Sequence, residues 1–178
     1  MKIQPDPKSS SSGLAELIAV ARSDLQVLAD YSRGLWQAAY EPGILSGTGS
    51  QALWARSYSL SALLSAFDSG EQFFWVVIGG GRAGFVAYRW NPESQVLWLS
   101  KLYLHPDYWG RGLGAWVLQS VTNAALRARA LRIDLYVFRR NVRAVEAYRR
   151  AGFRVDREEL TDLGGGVVYD DFVMVKVL

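Results

Sequence analysis

The 178-residue sequence contains no cysteine. That excludes disulfides, thiolate metal sites and cysteine nucleophiles. It contains one histidine, His105, so a histidine-built metal centre is not expected, and any serine–histidine pair would have to use that residue. No apolar run reaches the ~20 residues of a membrane-spanning helix. The Pro/Ser/Lys-rich start, Met1 to Gly13, is not followed by an apolar stretch with a cleavage site, so it reads as a flexible tail and not as a signal peptide. Charge of one sign is also scarce. Twenty Lys and Arg against 17 Asp and Glu leave +3, too little by itself to imply nucleic acid. These absences point to a cytoplasmic chain that works without a metal.

What is present is apolar material. Half of the residues are hydrophobic, enough for one sizeable core over residues 14–178. Arginine is crowded between Arg127 and Arg157. This stretch reads first as solvated helix faces and sheet edges, and second as a positive surface facing a phosphorylated cofactor or a nucleic acid. Periodicity gives a strand over Leu17 to Ala21 and a helix from Ser23 or Asp24 to Tyr40. A second helix fits Gln51 to Phe67. Three β-prone runs follow with tight connections: Phe73 to Ile78, Ala83 to Trp90 and Gln95 to Leu104. An amphipathic helix, a strand at Ile133 to Phe138, a helix from Asn141 to Ala151 and two last strands complete the chain. The fold class is mixed α/β in a single domain, in the order β-α-α-β-β-β-α-β-α-β-β.

Between the third run and the helix after it lies Asp107-Tyr108-Trp109-Gly110-Arg111-Gly112-Leu113-Gly114-Ala115. Glycine lets the backbone approach a ligand, and a helix start offers unpaired N–H groups to an anion. Two other glycine motifs fail here. A nucleotide-triphosphate loop would need Lys-Ser/Thr at its end, but Ala115-Trp116 stands there. A dinucleotide fingerprint needs its third glycine one residue later. On these residues alone the loop is an anion site.

The run Leu102 to Gly114 resembles the signature segment of the GNAT superfamily of N-acetyltransferases, in which a Gln/Arg-x-x-Gly-x-Gly/Ala loop holds the pyrophosphate of acetyl-CoA. Gly112 and Gly114 fall on the two small positions, and Trp109 stands where the family prefers Gln or Arg. The run Asn141 to Phe153 resembles the second signature of the family: Asn, Ala, an aliphatic residue, Tyr, then Gly-Phe. The resemblance implies a mostly antiparallel seven-stranded sheet flanked by about four helices. It also implies acetyl transfer from acetyl-CoA to a primary amine of a small molecule or peptide, directly in a ternary complex.

The resemblance carries roles for residues. Leu102, Tyr103 and Leu104 would pair with the pantetheine arm and supply N–H groups to the developing oxyanion. Gly110, Arg111, Gly112, Leu113, Gly114 and Ala115 would hold the pyrophosphate, mainly through backbone amides plus Arg111. Asn141 would also bind the cofactor. Tyr148 would protonate the leaving thiolate, since a phenol keeps its proton at neutral pH. A Glu that some relatives use as base is replaced by Tyr136. Asp171, then Asp170, then Glu41 are the candidate bases. Asp134 reads as a solvent-side strand end, and His105 as a cap. Trp36 and Tyr40, with Trp54 and Tyr58, fall in the helices that wall the acceptor site. The alternative is a non-catalytic acyl-CoA-sensing or nucleic-acid-binding module on the same fold. A homodimer is compatible with either.

Overall fold

The computed structural model describes residues 13–40, 54–162 and 168–178. Strand β1 (Ala15–Ala19) is followed by a short 3₁₀ turn and helix α1 (Leu25–Tyr40), then by α2 (Leu60–Asp68). Strands β2 (Gln72–Ile78), β3 (Gly81–Asn91) and β4 (Val96–Leu104) come next. Helix α3 (Leu113–Arg127), strand β5 (Arg132–Phe138) and helix α4 (Val142–Arg150) lead to β6 (Arg154–Asp162) and β7 (Val168–Val177). The element order is the expected one. The tail, Glu41 and the turn at 164–166 lie outside the described residues.

All seven strands form one sheet in the order β1-β2-β3-β4-β5-β7-β6. Only β4 and β5 run parallel; the other pairings are antiparallel. A parallel pair needs a crossover, and α3 supplies it. Side-chain alternation splits the core between the two faces. Val86, Leu97, Leu99, Ile133 and Met174 pack under α3 and α4. Phe73, Trp75, Phe85 and Ala87 pack under α1 and α2, against Leu25, Leu28 and Leu63. Each fully buried Leu or Phe is worth roughly 1.5–3 kcal/mol, so both helical layers are firmly held to the sheet.

Local boundaries differ from the sequence reading in instructive ways. The second helix is not continuous over 51–67. Helical residues at 54–58 end at Ser59, whose hydroxyl caps α2 by accepting from the Ala62 N–H. A Ser with an extended backbone makes a good N-cap, and that local bond wins over the helical pattern running through it. The first strand lies two residues earlier than read. Asp134 is buried, only 3% exposed, with one carboxylate oxygen 2.8 Å from Arg132. It is not at a solvent end, because Arg132, two residues away on the same face, turns back over it.

Candidate active site

The site is created where two strands part. The ladder between β4 and β5 ends at Leu99–Leu135. The next residue of β4, Ser100, is a bulge: Leu99 pairs with Tyr88 and Lys101 with Ala87, leaving Ser100 unmatched. A bulge bends its strand and breaks the ladder. From Ser100 to Leu104, β4 therefore has no strand on its β5 side. Glu71 pins the bulge, with one carboxylate oxygen 2.6 Å from the Ser100 hydroxyl and 2.7 Å from the Lys101 ammonium. Both Lys101 and Glu71 are nearly buried. On the far side, Gly84 lies against β4 so closely that a Cβ there would run into the Tyr103 carbonyl oxygen and sit 2.9 Å from the Leu104 Cα.

A cleft of about 620 Å³ opens between the separated strands, under α3 and α4. Its floor carries Leu102, Tyr103 and Leu104, and its rim carries Gly110, Gly112, Gly114 and Ala115. Gly112, the N-cap of α3, is left-handed at φ 82°, and Gly110 has φ 72°. A side chain at either would be strained. The first N–H groups of α3 have no partner within the helix and open toward the cleft. Leu113 and Arg111 do not share this position. Leu113 is buried in the core beneath α3, and Arg111 is exposed and off the cleft wall. The left-handed turn at Gly112 separates the two, so Leu113 brings its N–H and not its side chain to the rim, and the Arg111 side chain stays in solvent.

Trp109 turns back on β4: its indole N–H donates to the Leu104 carbonyl at 2.9 Å. The Arg143 guanidinium carbon lies over that indole, 3.2 Å from the ring centroid. Both residues line the cleft. Sequence reading missed Arg143, since a contact across 34 residues leaves no local trace. His105 caps the 3₁₀ turn after β4, with Nδ1 accepting from the Asp107 N–H, which matches its structural reading.

Asn141 also acts as a cap, accepting from the Ala144 N–H at the start of α4. Tyr148 sits on the cleft wall and packs edge-on against Phe153. Burial pushes its phenol well up. Tyr40 lines the opposite end of the cleft, its ring centroid 6.5 Å from that of Tyr103. Tyr58 donates to the Tyr103 hydroxyl at 2.8 Å. Burial raises Tyr40, Tyr58 and Tyr103 as well. Trp36 does not reach the cleft wall; it packs behind Tyr40, ring centroids 4.2 Å apart. Trp54 donates to Ser32 beneath an Arg33 guanidinium.

The two aspartates of β7 separate cleanly. Asp171 pairs in register with Phe138 and lies with Tyr169 on the α1 side. It is 7% exposed, and burial, followed by Asp170 and Glu159, pushes its carboxyl up to about 7. One of its oxygens has no hydrogen-bond partner among the described residues. Asp170 points the other way, 3.1 Å from Arg139, which also holds Glu158. An ion-paired carboxylate is a poor base, so Asp170 leaves the candidate list. Tyr136, half exposed, donates to Glu159 at 2.9 Å.

The arginine-rich stretch is not a bare positive face. Arg132, Arg139, Arg149 and Arg157 each sit beside a carboxylate. No group of His, Asp or Glu suited to a metal is found among the described residues. No helix there is long and apolar enough to cross a membrane.

Known proteins resemble this arrangement. A model of the acetyltransferase (GNAT) family matches residues 33–153. The spermine/spermidine N(1)-acetyltransferase of Bacillus subtilis is 29% identical over 133 residues, 68% of this chain and 83% of the relative. An uncharacterized N-acetyltransferase of Mycobacterium tuberculosis is 39% identical over 80 residues, 45% of this chain and 51% of the relative. Among solved structures, the PaiA N-acetyltransferase of Thermoplasma acidophilum in complex with coenzyme A superposes with a TM-score of 0.74 at 25% identity, covering 93% of this chain and 99% of that one.

Proposed function

The chain belongs to the GNAT acetyltransferase family and is an acetyl-CoA-dependent N-acetyltransferase acting on amines, and from that premise we propose how its cleft divides the work. The carrying observation is that an unpaired β4 edge, the open N-terminus of α3 and the Tyr148 ring meet in one cleft. Acetyl-CoA, when bound, supplies an activated acetyl group on a thiol leaving group. The free backbone from Ser100 to Leu104 would hold the extended arm as an added strand would be held. The amides of Gly112 to Ala115 would hold the diphosphate. The left-handed glycines fit that use, since a Cβ there would face strain in the strip the ligand must approach.

Tyr148 is the proton donor in this reading. Burial keeps its phenol protonated across the working pH range, and its place on the cleft wall favours transfer to the departing sulfur. Asp171 is the proton acceptor for the amine, directly or through water. A carboxyl near 7 is well matched to that task, being ionised at working pH yet still basic. Tyr40, on the cleft wall beside Tyr103 and near enough to Asp171 for their charges to interact, links the two halves.

The acceptor is a small, multiply charged amine of the polyamine class. The tyrosines at the Tyr40 end offer aromatic surface to a cation, and Asp171, with no ion-pair partner among the described residues, adds negative charge nearby once ionised. The named polyamine acetyltransferase of Bacillus subtilis supports the same class. The chain acts in the cytoplasm. The test is thermal stabilisation by acetyl-CoA followed by thiol release across a panel of amines. Turnover on polyamines above simple monoamines supports the reading. Stabilisation without turnover on any amine would overturn the roles given to Tyr148 and Asp171.

A further inference from the structure

The first position of the glycine loop carries Trp109, which has no charged or amide group. The indole spends its only donor on the Leu104 carbonyl and so brings nothing to an anion. Yet the place is not without a cation. Arg143, from the first turn of α4, places its guanidinium carbon over the Trp109 ring, 3.2 Å from the centroid, and lines the same cleft. No carboxylate is paired with it among the described residues, whereas Arg132, Arg139, Arg149 and Arg157 all have acidic partners. A guanidinium stacked on an aromatic ring is held in one plane with its edge N–H groups free. That edge is the part that binds phosphate oxygens in a bidentate manner.

We propose that Arg143, positioned by Trp109, is the side chain that grips the coenzyme diphosphate opposite the α3 N-terminus. The ring supplies a platform and the second signature supplies the charge, so the two motifs share one ligand contact. The inference rests on the coenzyme reading above, and it adds a specificity-determining residue to that site. Arg111 does not fill this place, because it is exposed and off the cleft wall.

The test compares the whole protein with Arg143→Gln and Arg143→Lys by calorimetry against three ligands: CoA, dephospho-CoA and S-acetylpantetheine. Losing a charge-assisted pair should weaken CoA about 10- to 100-fold in Arg143→Gln. The same loss should appear with dephospho-CoA, which keeps the diphosphate. S-acetylpantetheine, which lacks it, should bind both forms within about twofold. The salt dependence of CoA binding should flatten, and Arg143→Lys should recover only part of the loss. Equal CoA affinity in wild type and Arg143→Gln would overturn the assignment. So would equal weakening of all three ligands, which marks a structural role, or a loss seen with CoA and absent with dephospho-CoA, which moves Arg143 to the 3′-phosphate. A wild-type protein that bound no CoA would instead overturn the coenzyme reading itself.

Discussion

Replacing Asp171 with Asn should push stability and turnover in opposite directions. In the folded protein the carboxyl titrates near 7, against 3.8 for the ordinary group. Its folded pKa is raised, so the folded state holds a proton that the unfolded state has already released between those values. Stability therefore falls as pH rises from about 4 to about 7, then stays level. The full cost of ionising the group in place is about 4 kcal/mol. Desolvation is the leading cause, and water entry relieves part of it, so about 2–4 kcal/mol is expected in practice. Asn carries no charge and avoids this cost. Urea denaturation should show Asp171→Asn gaining that amount over wild type at pH 8, with the gap closing toward pH 5. Turnover should move the other way. Wild-type kcat/KM should rise with pH through a midpoint near 7 as the carboxylate forms. The variant should lose that inflection and roughly 10²–10⁴ in rate. A stability difference that is flat from pH 5 to 8 would refute the titration argument. A variant that keeps wild-type turnover would remove Asp171 from the chemistry.

Other perturbations test the remaining parts of the site. Tyr148→Phe should lower kcat by roughly 10²–10⁴ while calorimetry finds CoA affinity unchanged; a lost affinity would make Tyr148 a binding residue. Gly84→Ala forces a methyl group into the β4 backbone, where no side chain can yield; overpacking of this kind costs ~1–3 kcal/mol, and both urea stability and CoA affinity should fall together. Glu71→Ala strands the Lys101 ammonium in a nearly buried position, which costs roughly 3–5 kcal/mol by the usual penalty for half a buried pair. Denaturation of Glu71→Ala alone and with Lys101→Met should show the second substitution restoring much of the loss.

The sheet and its helices were readable because their patterns are local. Alternation in β2, β3 and β4, the capping Asn141, and Gly152 at φ 92° after α4 each leave a mark within a few residues. The glycine loop was readable for the same reason. The missed features all depend on meetings across the chain. Arg143 reaches Trp109 from another element, Glu71 reaches the bulge 29 residues away, and Arg139 captures Asp170 from the neighbouring strand. Trp36 and Tyr40 have equal claims by helical spacing, but only the packing of α1 against Tyr103 decides which of them borders the cleft. Assigning Arg111 to the diphosphate followed from its place inside the motif. The structure leaves that side chain exposed and off the cleft wall, whereas Arg143 of the second motif lines the cleft.

The central claim is that the parted strands β4 and β5 form a site for acetyl-CoA at which an amine is acetylated. The most direct measurement is steady-state thiol release by the wild-type protein with acetyl-CoA and spermidine or spermine, with the acetylated product followed by mass spectrometry. The account predicts saturable release that depends on both substrates, with one acetyl group added per thiol released. Acetyl-CoA binding with no amine-dependent thiol release across polyamines, monoamines and peptide N-termini would contradict it.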